Sequence, residues 1–379
     1  MYRRILIAPD AFKDALSAPD VCRAIAAGIC RALPDAEIAT CPISDGGEGA
    51  LEILAERLGM EIVEEIFCGP LGPLHAPRPA RYGYAPDQKL AFVALTETAG
   101  LQLLPPEQRN PLRTTTYGVG MQIRHALARG AERVVVAIGG SATNDAGAGM
   151  AAALGWKFAD KAGRKWIPTG GTLAQIAHVE APSDLPKAQF TVLCDVQNPL
   201  YGPSGAAYTY ARQKGASESE IPLLDEGLRH LARLLPDGDR VAQAPGAGAA
   251  GGMGFGCMFF LKAETRPGAD AIMDLLTFED KLMWADVVVT GEGSIDAQTL
   301  HGKLIRRLCE RAARYGKTVV GLCGRLSATP DQIARIGLNK ALCINPTMIS
   351  DLPLMLSLTA QRLEETAAEL AASWARHKP

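Results

Sequence analysis

The stretch RILIAPDAFKDALSAPDVCRAIAAGICRALPDAEIATCPI, residues 4–43, predicts the fold class. It begins with a short apolar run, continues with apolar residues at helical spacing, and ends in a second apolar run. A strand, a helix and a strand in this order are typical of a parallel sheet with a crossover helix. GALEILAERLG at 49–59 and EIVEEIFCG at 61–69 predict a further helix and strand, which extends the pattern to βαβαβ.

The last hundred residues repeat this alternation. ADVVVTG at 285–291 and KTVVGLCG at 317–324 predict strands, LIRRLCERAARYG at 304–316 predicts a helix between them, and residues 352–377 predict one long closing helix. In the middle of the chain, Pro-rich turns and Gly-rich runs replace the regular alternation. We therefore expect an α/β protein of two domains with the active site in the cleft between them. A discontinuous Rossmann-like parallel-sheet domain would comprise residues 1–67 and 279–379, and an inserted α/β domain residues 68–278.

Composition argues against several classes of protein. The formal net charge of -2 gives no basic field for nucleic acid or an anionic membrane surface. The longest uncharged run, residues 241–261, is rich in glycine, so we expect no membrane span. The 9 cysteines form no C-x-x-C pair, which favours reduced thiols over structural zinc. The first apolar run is too short for a signal peptide, and we expect a cytoplasmic protein.

Four loops that follow apolar runs carry the acids, hydroxyls and glycines of a candidate ligand site. Carboxyl ends of parallel strands meet at one edge of a sheet, where α/β proteins bind ligands. Successive glycines also let backbone N–H groups face an oxyanion. The candidates in APDAFKD and SDGGEGA are Asp10, Lys13, Asp45, Gly46, Gly47 and Glu48. Those in GGSATNDAGAGM and TGEGSIDAQTLHGK are Ser141, Thr143, Asn144, Asp145, Thr290, Gly291, Glu292, Gly293, Asp296 and Lys303.

Helix capping is an alternative function for two of these loops. Asp45 and Glu48 have the residue types of a helix cap, and SIDAQ at 294–298 can equally begin a helix. Both interpretations stay open at this point.

The segment LCDVQNPLYGPSGA, residues 193–206, places Asp195 and Asn198 directly after an apolar run. A carboxylate at the end of a buried strand is costly unless a polar group meets it. Asp195 can act as a general base toward a bound hydroxyl, or it can hold the NPLYGPSG loop by accepting backbone N–H bonds.

The motifs that the sequence contains and lacks limit the class of reaction. PGAGAAGG at 245–252 contains G-x-G-x-x-G, but no convincing buried strand precedes it. We therefore expect close backbone contact with a nucleotide through Gly251 and Gly252, and no Rossmann turn. The chain has no Walker A motif, no nucleophile elbow and no His-bearing metal motif. Acids, loop lysines and anion-binding loops suit phosphoryl transfer, which depends on positioning and charge neutralisation.

Seven blocks of the sequence resemble the bacterial class I glycerate kinases, in order and from end to end. They are LIAPDAFKDALSA, CPISDGGEGA, RNPLRTTTYGVGMQIRHALARGA, IGGSATNDAGAGMAAALG, CDVQNPLYGPSGAA, PGAGAAGGMGFG and TGEGSIDAQTLHGK. The resemblance implies ATP and D-glycerate as substrates, with ADP and phosphoglycerate, preferentially 2-phosphoglycerate, as products. Ala11 and Ala50 each lack a hydroxyl that the family commonly has, and Ala146 stands where glycine is usual.

With this resemblance, roles for the candidate residues follow as hypotheses. Asp195 is the best candidate for the general base, and Lys13 and Lys303 would neutralise carboxylate or phosphate charge. Asp10 would position substrate or Mg²⁺, as would the two candidate magnesium ligands, Asp45 and Asp296. We expect Mg²⁺ to be the cofactor, with ATP as co-substrate. The alternatives are a kinase of another small hydroxy acid and a non-catalytic nucleotide-sensing protein of the same fold. The oligomeric state is not predicted.

Overall fold

The structure is a computed structural model that describes residues 2–184, 187–301, 304–345 and 352–376. The chain divides into two compact units. The terminal unit comprises Met1–Ile53 and Gly268–Pro379, and the middle unit comprises Leu54–Pro267. Both units combine parallel strands with helices, so the predicted α/β class is confirmed.

The strands and helices are numbered in chain order. The strands are β1 (Arg4–Ile7), β2 (Glu37–Thr40), β3 (Glu61–Phe67), β4 (Arg78–Ala85), β5 (Leu90–Ala94), β6 (Arg133–Ala137), β7 (Lys157–Ala159), β8 (His178–Glu180), β9 (Gln189–Leu193), β10 (Glu264–Arg266), β11 (Val287–Ile295), β12 (Thr318–Leu326) and β13 (Lys340–Cys343). The α-helices are α1 (Ala18–Ala32), α2 (Ala50–Leu58), α3 (Thr96–Ala99), α4 (Tyr117–Ala128), α5 (Ala148–Ala153), α6 (Ala206–Tyr210), α7 (Ile221–Leu234), α8 (Gly238–Ala242), α9 (Ala249–Phe260), α10 (Gly268–Leu275), α11 (Phe278–Trp284), α12 (Leu304–Arg314), α13 (Pro330–Ile336), α14 (Leu352–Ser357) and α15 (Thr359–Arg376). Short 3₁₀ helices occupy Leu101–Leu103, Pro106–Gln108, Gly170–Gln175, Arg212–Lys214 and Ala297–His301.

The terminal unit contains a five-stranded sheet in the order β2-β1-β11-β12-β13, and all its pairs are parallel. Counted within this sheet, the order is 2-1-3-4-5, the flavodoxin-like form of the doubly wound fold. The strands at its centre are short apolar runs, such as Ile5–Ile7 and Val287–Val289, which are fully buried. Such uninterrupted burial is expected where helices cover both faces of a parallel sheet.

Helix α1 follows from local signals in the sequence. The Ser17 side chain accepts from the Asp20 backbone N–H at 3.3 Å and so caps the helix, and Pro19 lies in the first turn. The buried side chains Val21 and Ile25 recur at helical spacing. On the same buried face, α1 approaches α15 so closely that a Cβ added at Gly28 would lie 2.1 Å from a backbone oxygen of α15.

The predicted closing helix is wrong in one respect, because the chain forms α14 and α15 with an interruption at Leu358. Hydroxyl groups flank this break. Ser357 Oγ donates to the Leu354 carbonyl at 2.8 Å, and Thr359 Oγ1 donates to the Met355 carbonyl at 3.3 Å. Ser and Thr hydroxyls compete with backbone N–H groups for helical carbonyls and bend helices at such positions.

The middle unit contains a six-stranded sheet in the order β10-β9-β6-β5-β4-β3. Strands β10, β9, β6 and β5 pair in parallel, whereas β3 and β4 are antiparallel. The prediction that β3 continues the first βαβ pattern is wrong, because β3 pairs with β4 and buries Val63 and Phe67 in the core of the middle unit. A loop too short for a crossover joins these two strands, as antiparallel pairing permits. The predicted domain boundaries follow residues 67 and 278, whereas the boundaries between the compact units follow residues 53 and 267.

Within the part of the chain that the structure describes, no helix combines the length and apolar character that a membrane crossing requires.

The contact between α1 and α15 predicts the effect of Gly28→Ala. Alanine favours a helix interior over glycine by about 1 kcal/mol. The added Cβ, however, would lie 2.1 Å from the Glu364 carbonyl oxygen, so α15 must shift. We expect a net loss of about 1–3 kcal/mol in the free energy of unfolding, measured by urea denaturation. Cys30→Ala on the exposed face of α1 is the control, and a more stable Gly28→Ala variant would contradict the close approach.

Candidate active site

In the terminal unit, the candidate residues gather where the strand order reverses. From β1 the chain runs outward to β2 in one direction, while β11, β12 and β13 follow in the other. Asp10 leaves β1, and its N–H donates to the Gly291 carbonyl at 2.9 Å. Thr290 Oγ1 donates to the Ala8 carbonyl at 2.7 Å. These bonds place Asp10 beside Glu292 at the topological switch point, where open α/β sheets bind ligands.

Asp10 lies in a cluster of charged residues. Burial raises its pKa to about 7, and the nearby carboxylates of Asp45 and Glu292 also raise it. Two groups oppose this shift: the Ala11 N–H, which donates to Asp10 Oδ1 at 2.7 Å, and the Lys13 ammonium. We call Asp10, Asp45 and Glu292 the acidic cluster. The structure thus brings together three acids and one lysine that the sequence placed on three separate loops.

The Asp45 loop keeps its hydrogen bonds within itself. Asp45 Oδ1 accepts from the Gly47 N–H at 2.9 Å, and the Gly46 N–H donates to Ser44 Oγ at 3.2 Å. The capping interaction considered for Asp45 is therefore a bond to its own turn, before α2 begins. Asp45, Gly47 and Glu48 are exposed, which leaves their polar groups accessible to a ligand.

Asp296 holds the turn after β11. Its Oδ1 accepts from the Gln298 N–H at 2.7 Å, at the start of the short 3₁₀ helix, as the capping interpretation predicts. Thr299 of this helix donates to Glu292 Oε1 at 2.9 Å and so orients one acid of the acidic cluster. Gly293 is partly exposed on the same strand. Lys303 lies outside the described residues.

In the middle unit, the Gly-rich run lies against two loops that carry candidate residues. A Cβ added at Gly251 would lie 1.9 Å from the Thr143 carbonyl oxygen, and the Gly248 N–H donates to the Asn198 carbonyl at 2.9 Å. Gly252 has a positive φ of 88°, in the region that favours glycine. Helix α8 precedes the run, and no strand does, which agrees with the expected absence of a Rossmann turn. Close packing against the protein itself accounts for these glycines, and contact with a nucleotide stays a prediction.

Asp145 is fully buried, and both oxygens of its carboxylate accept hydrogen bonds. Its carboxylate accepts from the Thr116 N–H at 2.7 Å, the Thr116 hydroxyl at 2.9 Å, the Gly149 N–H at 3.1 Å and the Gly147 N–H at 3.2 Å. Burial raises the pKa of this carboxyl group, and the hydrogen bonds oppose the rise. Asp145 therefore joins the starts of α4 and α5, a structural role that the sequence did not indicate.

Lys214 is a polar residue of this region that sequence reasoning missed. Its Nζ donates to Ser141 Oγ at 2.7 Å and to the Thr143 carbonyl at 2.6 Å. Burial lowers its pKa to about 7, and the charge of Asp145 opposes this shift. Lys214 lies in the polar segment ARQKGASESE, which has no pattern that marks one of its residues as buried.

The loop after β9 carries Asp195 and Asn198, which differ in exposure. Asn198 Nδ2 donates to the Ser204 carbonyl at 2.7 Å, and Tyr210 OH donates to Asn198 Oδ1 at 2.7 Å. Asn198 thus holds the NPLYGPSG loop, a role that was considered for Asp195. The side chain of Asp195 is exposed. A general base must be accessible to its substrate, and Asp195 meets this requirement.

Comparison with known proteins identifies the family. A profile of the glycerate kinase family matches residues 5–375. The chain belongs to the glycerate kinase family. It is 38% identical over 375 residues to a glycerate kinase of Bacillus subtilis, covering 98% of this chain and 97% of the relative. It is 40% identical over 330 residues to a glycerate 2-kinase of Escherichia coli, covering 86% of each chain.

A solved structure supports the same assignment. The crystal structure of a protein assigned as glycerate kinase 2 from Salmonella typhimurium LT2 superimposes with a TM-score of 0.88 at 38% identity. The match covers 99% of this chain and 99% of that chain. The predicted resemblance to glycerate kinases is therefore confirmed at the level of the family.

Ala146, where the resemblance predicts glycine, has a φ of 53° in the left-handed region. This conformation costs a residue with a Cβ roughly 1–2 kcal/mol, a cost that glycine does not have. Ala50 is fully buried at the start of α2, and Ala11 contributes its backbone N–H to Asp10.

The acidic cluster predicts how stability depends on pH. Because the pKa of Asp10 is raised from 3.8 to about 7, the folded protein retains a proton that the unfolded chain releases. This contribution to stability is present below about pH 4 and is lost as the pH rises through about 7. In Mg²⁺-free buffer, Asp10→Asn should remove a decline of roughly 1–4 kcal/mol in the free energy of unfolding over this range.

The matched control is Asp35→Asn, which replaces an exposed acid of the same unit. The pH dependence of its unfolding free energy should follow the wild type. If Asp10→Asn shows the wild-type slope as well, the acidic cluster does not hold a proton on Asp10.

Proposed function

We propose that this protein is a class I glycerate kinase that transfers the γ-phosphoryl group of ATP to D-glycerate, releasing 2-phosphoglycerate and ADP. The observation that carries the proposal is the end-to-end match to glycerate kinases, which includes every loop of the candidate site. As a glycerate kinase, the protein is a phosphotransferase with an alcohol acceptor. The choice of the 2-position draws on the resemblance to class I kinases and on the relative named a glycerate 2-kinase.

The acidic cluster supports Mg²⁺ as the cofactor. Carboxylate oxygens are the protein ligands that Mg²⁺ prefers. The proximity of Asp45 and Glu292 to Asp10 concentrates negative charge that a divalent cation would neutralise. Asp45 and Asp296 remain candidate ligands, and the bound ion would withdraw charge from the phosphates during transfer. Among the described residues, no group of three or more His, Cys, Asp or Glu side chains is placed to hold a metal ion, so the ion would take most of its ligands from water and the phosphates of ATP and only one or two from these carboxylates.

The remaining roles follow from exposure and charge. Exposed Asp195 accepts the proton of the acceptor hydroxyl, and exposed Lys13 neutralises phosphate or carboxylate charge. Lys303 would do the same. A cytoplasmic location is also part of the proposal, supported by cysteines that are all free thiols.

A coupled assay of ADP release tests the proposal. The purified protein is incubated with Mg²⁺ and ATP and one of four acceptors: D-glycerate, L-glycerate, tartronate or lactate. We expect turnover to be highest with D-glycerate, and ³¹P–¹H coupling in the product to identify the 2-phosphate. Greater activity with another hydroxy acid would replace the proposed substrate, and ATP binding without any turnover would support a nucleotide sensor.

If Asp195 is the general base, Asp195→Asn should lower kcat and leave the KM for glycerate unchanged. The variant keeps the shape of the side chain but cannot accept a proton, so kcat should fall by ~10²–10⁴. KM for glycerate and Tm should stay near wild type, because the side chain is exposed. Gln197→Asn, an exposed change in the same loop, serves as the control. Near wild-type kcat in Asp195→Asn would exclude it as the base.

The proposed cofactor predicts a requirement for added metal. EDTA should abolish turnover, and Mg²⁺ should restore it, because Mg²⁺ reaches such sites largely on the phosphates of the nucleotide. Elemental analysis of the purified protein should find no stoichiometric metal. Zinc present at one equivalent, or turnover that resists EDTA, would contradict this prediction.

A further inference from the structure

The loop Ser141–Asp145, together with Lys214, places an unusual concentration of polar side chains inside the middle unit. We call this set the buried polar loop. Ser141 and Lys214 are 6% and 2% exposed, and Thr143 and Asn144 are 0% exposed. Polar groups at this depth are stabilised only by hydrogen bonds or charge pairing within the protein or with a bound molecule.

Several of these groups have no hydrogen-bond partner in the protein. Thr143 Oγ1, Asn144 Nδ2 and Asn144 Oδ1 are buried without one. More than nine in ten buried polar groups are paired in native proteins, and an unpaired group costs about 1–3 kcal/mol. Three such atoms on two consecutive residues leave donor and acceptor capacity that a bound molecule can use.

Lys214 adds a charge that the protein compensates only indirectly. Its ammonium donates to a hydroxyl and a carbonyl, and no carboxylate among the described residues forms an ion pair with it. The nearest acid that affects it is Asp145. The Asp145 carboxylate is already occupied by Thr116, Gly147 and Gly149. Burying an ammonium without a direct counter-ion is unfavourable, and an anion bound beside it would offset that cost.

The chemistry of the unpaired atoms identifies the ligand. The lysine ammonium, the Asn144 amide N–H₂ and the Thr143 hydroxyl can all donate to a carboxylate. Asn144 Oδ1 is an acceptor and requires a donor, which the 3-hydroxyl of D-glycerate supplies. One lysine balances the single charge of a carboxylate, whereas a triphosphate needs several cations.

We propose that the buried polar loop binds the carboxylate and the 3-hydroxyl of the acceptor, so that Lys214, Asn144 and Thr143 determine which hydroxy acid is accepted while the 2-hydroxyl is left for phosphoryl transfer. The inference rests on the proposed function and deepens it. The sequence did not indicate whether Ser141, Thr143 and Asn144 bind the acceptor or ATP. The inference assigns the buried polar loop to the acceptor and adds Lys214 to the site.

Binding at this position requires the loop to move. Thr143 and Asn144 have no exposed surface, so the acceptor reaches them only when the loop opens. Gly139 and Gly140, immediately before Ser141, are exposed, and Gly140 has a φ of 71°. No atom lies within 4 Å of a Cβ added at Gly139, so this residue has room to act as a hinge, whereas the Gly140 carbonyl accepts from the Leu101 N–H at 2.9 Å and would have to release it.

The sharpest test is Thr143→Val, which removes an unpaired hydroxyl and keeps the shape of the side chain. Since that hydroxyl bonds nothing in the protein, Tm should stay unchanged or rise. The dissociation constant for D-glycerate, measured by calorimetry, should increase roughly 3- to 10-fold. The matched control is Thr114→Val, whose hydroxyl donates to the Ala142 carbonyl at 2.8 Å. It should lower Tm without changing the preference for a carboxylate.

Lys214→Met tests the charge. The change removes a buried cation but leaves Ser141 Oγ and the Thr143 carbonyl without the donor that they have in the wild type, so Tm should fall modestly. It should weaken D-glycerate binding by about 10- to 100-fold and leave the KM for ATP near wild type. Glyceramide, the neutral amide of glycerate, gives the decisive comparison: wild type should favour glycerate over glyceramide, and Lys214→Met should lose this preference. Lys157→Met, an exposed change on β7, is the control.

The outcomes separate the inference from the proposed function. ADP release by wild type with D-glycerate tests the function alone. If wild type is active and both Thr143→Val and Lys214→Met bind D-glycerate as wild type does, the inference is wrong and the function stands. A fall in Tm with an unchanged preference for glycerate over glyceramide would also overturn it, since it would give the buried polar loop a structural role only.

Discussion

The parallel pairing of β1 with β11 is the constraint on which the rest of the terminal unit depends. It joins residues far apart in the chain, with Ile5 opposite Val287 and Ile7 opposite Val289. Closing so long a loop costs conformational entropy, although that cost grows only slowly with length. The side chains of this pair are fully buried, and the hydrophobic contribution of the central strands offsets the cost. Without the pair, the sheet would have no point at which its strand order reverses.

This pairing also concentrates charge. The bonds from Asp10 to Gly291 and from Thr290 to Ala8 extend the contact beyond the strands and bring Asp10 to Glu292. Burial disfavours the ionisation of Asp10, and the neighbouring carboxylates add to this effect, so its pKa is raised. A buried carboxyl group with so strongly shifted a pKa is typical of a site that binds a cation or transfers a proton.

Much of the fold could be predicted from the sequence, because periodicity reports which faces are buried. It indicated the strands and helices of the terminal unit, but a strand pattern does not say which sheet the strand joins, so β3 was placed wrongly. Hydrogen-bond partners are also invisible in a sequence. Asp145 was predicted to bind ligand from its residue type, yet its carboxylate is filled by a threonine 29 residues away. Lys214 was missed because the serine that accepts its hydrogen bond lies 73 residues away in the sequence.

Hydrogen bonding distinguishes polar loop residues that the sequence does not tell apart. Asp145 and Asn198 have their polar atoms satisfied within the protein, and they hold helices and a turn in place. Thr143 and Asn144 are also polar, and both are fully buried, but Thr143 Oγ1 and both atoms of the Asn144 amide have no partner in the protein. The satisfied residues thus hold helices and loops in place, whereas the unsatisfied ones, with Lys214, are the groups that the proposed acceptor site would use.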